Sequence, residues 1–147
     1  MPSNSPVRQI SVFMDNKPNQ LAGVMSILKE SGVNIRALSL ADTKDFGILR
    51  IIVNDTDRAC ETVKSAGYAA AVTPVIAISI PDSPGQLSRV LDILGGDGVN
   101  LEYLYAFTGA SDRSVSFVIR VDDIAAASES LNKGGIIQLT ENDISEM

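Results

Sequence analysis

The chain has 147 residues, and 45% of them are hydrophobic, which is enough apolar material for a packed core. Twelve Lys and Arg residues stand against eighteen Asp and Glu residues, and the net charge of -6 argues against sequence-independent binding of nucleic acid phosphates. With no His and one Cys, the usual zinc and copper ligand sets, an intrachain disulfide, and Ser–His or Cys–His nucleophiles cannot be assembled within one chain.

The same composition predicts where the protein resides. Its single cysteine, Cys60, is compatible with a reducing compartment. The N-terminus lacks a basic region followed by an apolar one, and the apolar stretch over 68–80 is interrupted by Thr73 and Pro74. We therefore expect a cytoplasmic protein with no signal peptide, no membrane span and no cofactor.

An internal repeat is the main signal in the sequence. The segment 16–21 (NKPNQL) is echoed by 82–87 (DSPGQL) at an offset of 66, and this offset continues without a gap to 32–35 (GVNI) and 98–101 (GVNL). After two inserted residues the offset becomes 68, which pairs Leu49 with Phe117. The chain is therefore predicted to contain two copies of one structural unit.

The first copy begins with an alternating strand over 9–14 whose Ile10, Val12 and Met14 are expected to face inward. A helix follows, with Pro18 at its first position and Gly32 as its stop. A hairpin (35–41 and 48–53), a second helix (about 56–66) and a short strand (68–73) complete the unit. We place this first domain at residues 7–73.

The second copy repeats that order in residues 74–141. Its strand covers 75–80, and its first helix is predicted to have Ser83 as N-cap, Pro84 at the first helical position and Gly98 as its stop. The apolar stripes of the two first helices are expected to face the cores. They comprise Leu21, Val24, Met25 and Leu28 in the first copy, and Leu87, Val90, Leu91 and Leu94 in the second. A hairpin (101–107 and 115–121), a helix (124–133) and a strand (136–140) follow.

The order βαββαβ, found twice, predicts an α+β fold of two ferredoxin-like units, each an antiparallel sheet with its helices on one face. Because the first two strands of a unit run in the same direction, the loop after the first strand lies at the same end as the hairpin tip. The loop 16–20 should thus lie near 41–47, and the loop 82–86 near 108–114.

The sequence Asp82-Ser83-Pro84-Gly85-Gln86-Leu87 follows a strand and opens a helix that ends in Gly98-Val99-Asn100. It resembles the signature of the ACT domain, and the resemblance covers both copies over 7–140. The first copy departs from it at Asn19 and Lys17. The resemblance implies tandem ACT domains in a stand-alone regulatory protein without catalytic activity. In that family, domains pair side by side and small effectors, commonly amino acids, bind at the interface against this loop.

The two loops supply the candidate ligand-binding residues. These are Asn16, Lys17, Pro18, Asn19, Gln20 and Leu21, and Asp82, Ser83, Pro84, Gly85, Gln86 and Leu87. A helix N-terminus offers unpaired N–H groups and partial positive charge to a carboxylate. Asn16 and Asp82 could accept hydrogen bonds from an ammonium group, Gly85 would allow close approach, and Asn19 would adopt a left-handed conformation in place of glycine. Ordinary helix capping is the alternative explanation of both loops.

The helix-free face of the second sheet is predicted to carry Tyr103, Tyr105 and Phe107, where the first sheet carries the small residues Ala37, Ser39 and Ala41. This contrast suggests either asymmetric packing of the two units or contact of the aromatic row with another chain. The alternatives are that the aromatic row lines an effector pocket or is an ordinary surface row. We expect a homodimer.

Three functional classes compete. The leading hypothesis is a sensor of a free amino acid that changes its assembly state or the activity of a regulated protein partner, without binding nucleic acid or a membrane. The alternatives are an RNA-binding ferredoxin-like module that stacks bases on the aromatic row, and a purely structural interaction scaffold. An acylphosphatase-like enzyme would need a phosphate loop, and none is found in the sequence.

Overall fold

A computed structural model describes residues 6–42, 45–109 and 113–147. The elements in chain order are β1 Val7–Asp15, α1 Gln20–Glu30, β2 Ile35–Asp42, β3 Phe46–Val53, α2 Thr56–Ser65, β4 Ala69–Pro81, α3 Gln86–Gly96, β5 Leu101–Ala106, β6 Ser114–Val121, α4 Ile124–Lys133, β7 Ile137–Leu139 and α5 Glu141–Ser145. Two βαββαβ units are therefore present, as predicted. The short helix α5 follows the second unit and was not predicted.

The strand β4 belongs to both units. Its residues 69–75 pair with β1, residues 76–81 pair with β6, and residues 77–79 also pair with β7, always antiparallel. The separate strands expected over 68–73 and 75–80 are therefore one strand, and the domain boundary expected between residues 73 and 74 falls inside it. Each unit has the ferredoxin-like strand order, with β3 lying between β1 and β2 and β6 lying between β4 and β5.

Each unit packs its helices on one face of its sheet, as expected. Ile10, Val12 and Met14 of β1 lie in the core between the first sheet and its helices, and Ile76, Ile78 and Ile80 of β4 lie in the corresponding second core. These assignments confirm the inward faces read from alternation. The expected role of Leu91 is wrong, because its side chain is 41% exposed, while Ile93 packs against the second core.

The helix-free faces of the two sheets pack against each other. The six strands β2, β3, β1, β4, β6 and β5 follow one another, and the two edge strands meet where Ala37 bridges Phe107. The amide of Thr108 also donates to the carbonyl of Arg36 at 2.9 Å. The strands thus form a nearly closed ring with a third core inside it. This ring core contains Val7, Ala37, Ile52, Val75, Ala77, Val118 and Ile144, with Tyr105, Phe107 and Leu139 packed against them.

A polar cluster within the ring joins the two units. Gln9 is fully buried, and its Nε2 donates to Tyr103 Oη at 2.9 Å while Tyr105 Oη donates to its Oε1 at 2.6 Å. The guanidinium of Arg50 lies 4.1 Å above the ring of Tyr103. Burial raises the pKa of the Tyr105 phenol above its ordinary value, and the neighbouring Tyr103 adds to the shift. The aromatic row is therefore occupied by the first unit of the same chain, in the asymmetric packing suggested by the sequence.

The helix α5 extends from the second unit onto the first. Arg8 on β1 donates from Nε to Glu141 Oε1 at 2.7 Å and from Nη2 to Oε2 at 3.0 Å, and its Nη1 lies 2.7 Å from Asp57 Oδ1. Ile144 is buried in the ring core. The C-terminal helix thus closes over residues from both units.

None of the helices in the described ranges combines the length and apolar character needed to cross a membrane. In that same part of the chain, no three His, Cys, Asp or Glu side chains are grouped so that they could hold a metal ion.

Candidate functional site

The two repeated loops have the same backbone structure. In the first, the amide of Lys17 donates to the carbonyl of Asp15 at 2.9 Å and the amide of Gln20 donates to that of Lys17 at 3.4 Å. The second loop has the same two hydrogen bonds 66 residues later in the chain. The amide of Ser83 donates at 3.0 Å, and the amide of Gln86 donates to the carbonyl of Ser83 at 3.4 Å. The sequence repeat therefore encodes a repeated turn as well as repeated elements.

The residue before each helix adopts a left-handed conformation. Asn19 has φ 71° and Gly85 has φ 86°, and these residues are the N-caps of helices that begin at Gln20 and Gln86. Asn and Gly tolerate this region better than other residues do. The predicted substitution of Asn19 for glycine in this conformation is confirmed.

The predicted helix starts were wrong. Pro18 and Pro84 precede the N-caps and lie in the turn, and Ser83 lies two residues before the N-cap Gly85. Neither Asn19 nor Gly85 caps its helix through a side chain. The tight turn places its left-handed residue at the helix boundary, so the backbone conformation, and not a serine side chain or a proline, starts the helix.

Both helix N-termini present amides without intrahelical acceptors. The first intrahelical bonds are from Gly23 to Asn19 and from Arg89 to Gly85, each at 3.0 Å, so the amides of Leu21 and Ala22 in α1 precede the hydrogen-bonded ladder. Such amides, together with the helix dipole, form a site of partial positive charge.

Each loop lies against the hairpin of its own unit. The amide of Asn16 donates to the carbonyl of Asp45 at 3.2 Å, and the amide of Asp82 donates to that of Arg113 at 2.9 Å. These contacts confirm that loop and hairpin share one end of each sheet. The predicted tips also include 43–44 and 110–112, which lie outside the described residues.

A cavity of about 320 Å³ lies beside the N-terminus of α1. Four of the six residues predicted for the first loop line it, together with residues of β1 and the hairpin. The lining comprises Asn16, Lys17, Gln20 and Leu21 with Met14, Asp15, Leu40, Asp42 and Gly47. Pro18 and Asn19 instead belong to the turn that positions these side chains.

The cavity lining combines charges of both signs. Lys17 Nζ lies 3.8 Å from Asp15 Oδ2, and both side chains are largely exposed. Asp42, at the end of β2, adds a second carboxylate to the lining. Asp42 was not among the predicted site residues, although its place in the hairpin segment expected near the loop was a usable signal.

Comparison with known proteins gives the family. A family model described as ACT domain pair matches residues 5–147. The chain belongs to the ACT domain pair family. This assignment confirms the two ferredoxin-like ACT units predicted from the sequence.

Solved structures agree with the ACT assignment. Protein BT0572 from Bacteroides thetaiotaomicron is 35% identical, and the match covers 99% of this chain and 100% of that one with a TM-score of 0.92. The regulatory subunits of aspartate kinase from Thermus thermophilus and Thermus flavus are each 18% identical, with TM-scores of 0.65 and 0.60. The matches cover 88% and 89% of this chain and 93% and 94% of theirs, and they show a shared fold. Among curated protein sequences, none matches this chain.

The second ACT loop is as exposed as the first. Asp82, Ser83, Pro84 and Gly85 are exposed, and the hairpin tip that faces them falls partly in 110–112, outside the described residues. A Cβ added to Gly85 would meet no atom within 4 Å. Glycine is therefore favoured at this position by its positive φ and not by a lack of space within the described part of the chain.

Proposed function

We propose that the chain is a regulatory sensor that binds a free amino acid at the first ACT loop and has no catalytic activity of its own. The observation that carries the proposal is the cavity beside the N-terminus of α1, whose lining brings together Lys17, Leu21 at the helix start and Asp42. An amino acid carries one positive and one negative group close together, and this lining offers a partner to each.

The proposed binding mode follows from the chemistry of the lining. The ligand carboxylate accepts a hydrogen bond from the amide of Leu21, which lines the cavity at the start of α1, and approaches the ammonium of Lys17. The ligand ammonium donates to the carboxylate of Asp42 and to the side-chain oxygen of Asn16. The apolar side chains around the cavity then contact the ligand's own side chain, which sets its selectivity.

The proposed output of binding is a change in assembly. Residues 69–73 of β4 pair only with β1 among the described residues, so the other edge of this segment has no partner strand. Ala69, Ala71 and Val72 on that segment are exposed. An unpaired edge with small apolar side chains can pair with a second copy, and we propose a homodimer formed side by side through it. Ligand occupancy then alters this dimer or its contact with a regulated partner.

The cytoplasmic location expected from the single cysteine is part of the same proposal.

The observation that favoured RNA binding no longer supports it, because Tyr103 and Tyr105 bind Gln9 inside the ring and are not displayed on a free sheet face. A structural scaffold is the remaining alternative, and it predicts no ligand.

Thermal-shift measurements against the twenty amino acids, confirmed by calorimetry, test the proposal. A ligand selective for the folded state stabilises it by about 2.7 kcal/mol at a hundred times its Kd. We expect a selective, saturable shift with one amino acid or a small related group. No shift with any of them, on protein shown to be folded, would favour the scaffold.

Two substitutions locate the site once a ligand is found. Lys17→Gln and Asp42→Asn should each weaken binding about tenfold, because each removes a charged partner. Lys64→Gln and Asp92→Asn change the net charge equally at exposed positions on α2 and α3, and binding should be unchanged. Full affinity in both cavity variants would exclude the first loop and leave the second as the candidate.

Oligomeric state is tested separately by sedimentation equilibrium. A lysine on an edge strand opposes pairing with another chain, so Val72→Lys should shift the protein to monomer while Val72→Thr leaves the dimer intact. A wild-type protein that is monomeric with and without ligand would contradict the proposed dimer.

A further inference from the structure

A second cavity, of about 530 Å³, lies where the two units meet. It is next to the seam of the ring, the contact between β2 and the residues that follow β5. Residues from both units line it, among them Ile35, Arg36, Ser79, Phe107, Ser116 and Leu139. Its size falls within the range of small-molecule sites. It is separate from the loop cavity described above, with which it shares no lining residue.

Arg36 supplies the charged side chain among these lining residues, and its hydrogen bonding is incomplete. Its Nε is buried and has no hydrogen-bond partner within the described residues. Its Nη2 makes one long contact, 3.5 Å from the carbonyl oxygen of Ser145. No carboxylate in the described ranges lies within ion-pair distance of this guanidinium. A buried donor left without a partner destabilises a protein, so the arrangement favours an acceptor supplied from outside.

Arg8 shows what the same group does when an acceptor is present. Its Nε and Nη2 bind the two oxygens of Glu141 at 2.7 Å and 3.0 Å. This planar fork matches the geometry of a carboxylate. On Arg36 the same edge of the guanidinium, Nε and Nη2, has only the long contact with Ser145 among the residues that the structure describes.

The rest of the lining indicates the other properties of an occupant. Ser79 and Ser116 are paired across β4 and β6, and their hydroxyl groups can each donate a hydrogen bond. Phe107 and Leu139 supply apolar surface on the other walls. One guanidinium balances one negative charge, and a second charge in an apolar cavity would be costly. The lining therefore suits a singly charged anion with an apolar body.

We propose that this cavity between the units binds a small monocarboxylate, with the carboxylate on Arg36 and the serine hydroxyls and the apolar body against Phe107 and Leu139. Because residues of both units line the cavity, an occupant contacts both and stabilises their packing. The site is independent of the proposed amino acid site, and each can fail without the other.

Phenylacetate is a suitable probe, with phenylacetamide as its neutral analogue. In titrations of the full chain followed by amide NMR shifts, phenylacetate should perturb Ser79, Phe107 and Ser116, and phenylacetamide should bind about tenfold more weakly. Equal affinity for the two probes, or phenylacetate shifts confined to residues 16–21, would overturn the proposal. Tighter binding of phenyl phosphate than of phenylacetate would overturn the monocarboxylate assignment.

Two variants of different kinds test the residues. Arg36→Gln should reduce phenylacetate affinity about tenfold, to the level of phenylacetamide, while Arg58→Gln, on the exposed surface of α2, should leave it unchanged. Ser116→Leu keeps the guanidinium but fills the cavity, and it should weaken both probes. Unchanged binding of phenylacetate in folded Arg36→Gln or in folded Ser116→Leu would overturn the assignment of the site.

Discussion

Asn19 and Gly85 perform the same backbone function with different side chains. Both have a positive φ immediately before a helix, and the hydrogen bonds around them match between the two loops. The turn therefore depends on a residue that tolerates the left-handed region. Glycine meets this need through its missing Cβ, and asparagine meets it at a modest cost.

Substitutions at Gly85 distinguish the effect of the positive φ from the effect of steric contact with neighbouring atoms. Because a Cβ there meets no neighbour, Gly85→Asn should cost little, as Asn19 already shows in the first loop. Gly85→Val should lower the free energy of unfolding by about 1–3 kcal/mol, since a β-branched residue is strained at positive φ. Urea unfolding of the two variants measures the difference. Equal losses in both would mean that steric contact, and not φ, decides this position.

Tyr105 should make the free energy of unfolding decline at high pH. Its pKa is raised by burial, so the folded state binds the phenol proton more tightly than the unfolded state does. The contribution is complete below the ordinary tyrosine pKa of about 10 and is lost as pH rises above it. Tyr105→Phe leaves Gln9 Oε1 without this donor and should cost about 1–2 kcal/mol at neutral pH.

Urea unfolding from pH 8 to pH 11 measures this effect. The wild type should lose more stability over that interval than Tyr105→Phe does. Parallel losses in the two proteins would show that the pKa of Tyr105 does not differ between the folded and unfolded states.

At the scale of elements, α5 is the smallest helix and makes connections to both units. Glu141 binds Arg8 of the first unit, and Ile144 occupies the ring core. A capping box between Thr140 and Asp143 defines the start of the helix. Since five residues form too short a helix to be stable alone, α5 depends on these tertiary contacts.

Truncation of Ile144 tests that dependence. Ile144→Ala should lower the free energy of unfolding by about 2–5 kcal/mol, because the side chain is 1% exposed. Ile137→Ala, the same change on β7 at a 63% exposed side chain, should cost less than about 0.5 kcal/mol. Glu141→Gln should cost up to about 1 kcal/mol, since the pair with Arg8 is partly solvated. Equal effects of the two isoleucine substitutions would contradict the burial of α5.

Local patterns were enough to predict most elements. Alternation in β1 and the helical spacing in α1 gave their buried faces, and Gly32 follows α1 with a positive φ, as a helix stop should. The helix starts were wrong because a proline before a helix looks alike whether it lies in the turn or in the first helical position. The helix α5 was missed although Thr140 and Asp143 have capping-box spacing, because a helix of five residues depends on distant contacts such as that of Glu141 with Arg8.

At the scale of the whole molecule, the two units share a strand and a core. The sequence repeat predicted two units but not their relation, because the alternation in β4 reads as two strands joined at Pro74. The contrast between the small residue Ala37 and the aromatic Phe107 did indicate how the two units pack, since these two residues meet at the seam of the ring. Of the site, four residues of the first loop line a cavity. Asp42 also lines it, but it comes from the hairpin predicted to lie nearby and was not assigned to the site from the sequence.

A shared strand and a shared ring core predict that the two units unfold together. Tyr68→Trp reports on the first unit's core and Phe117→Trp on the second's, since each side chain packs against its own helix-covered core. In urea, the two probes should give the same midpoint. Adding Ile52→Ala in the ring core, where the side chain is 1% exposed, should shift both midpoints equally by removing about 2–5 kcal/mol.

The control for this measurement is Val24→Ala, a truncation in the helix-covered core of the first unit alone. If the molecule is one cooperative unit, this local change must also move the Phe117→Trp midpoint, although Val24 belongs to the core on the other side of the ring. A shift seen only by the Tyr68→Trp probe would mean that the first unit unfolds separately. The strand β4 and the ring core would then connect two units of independent stability, and ligand binding to one unit could not be transmitted to the other through shared folding.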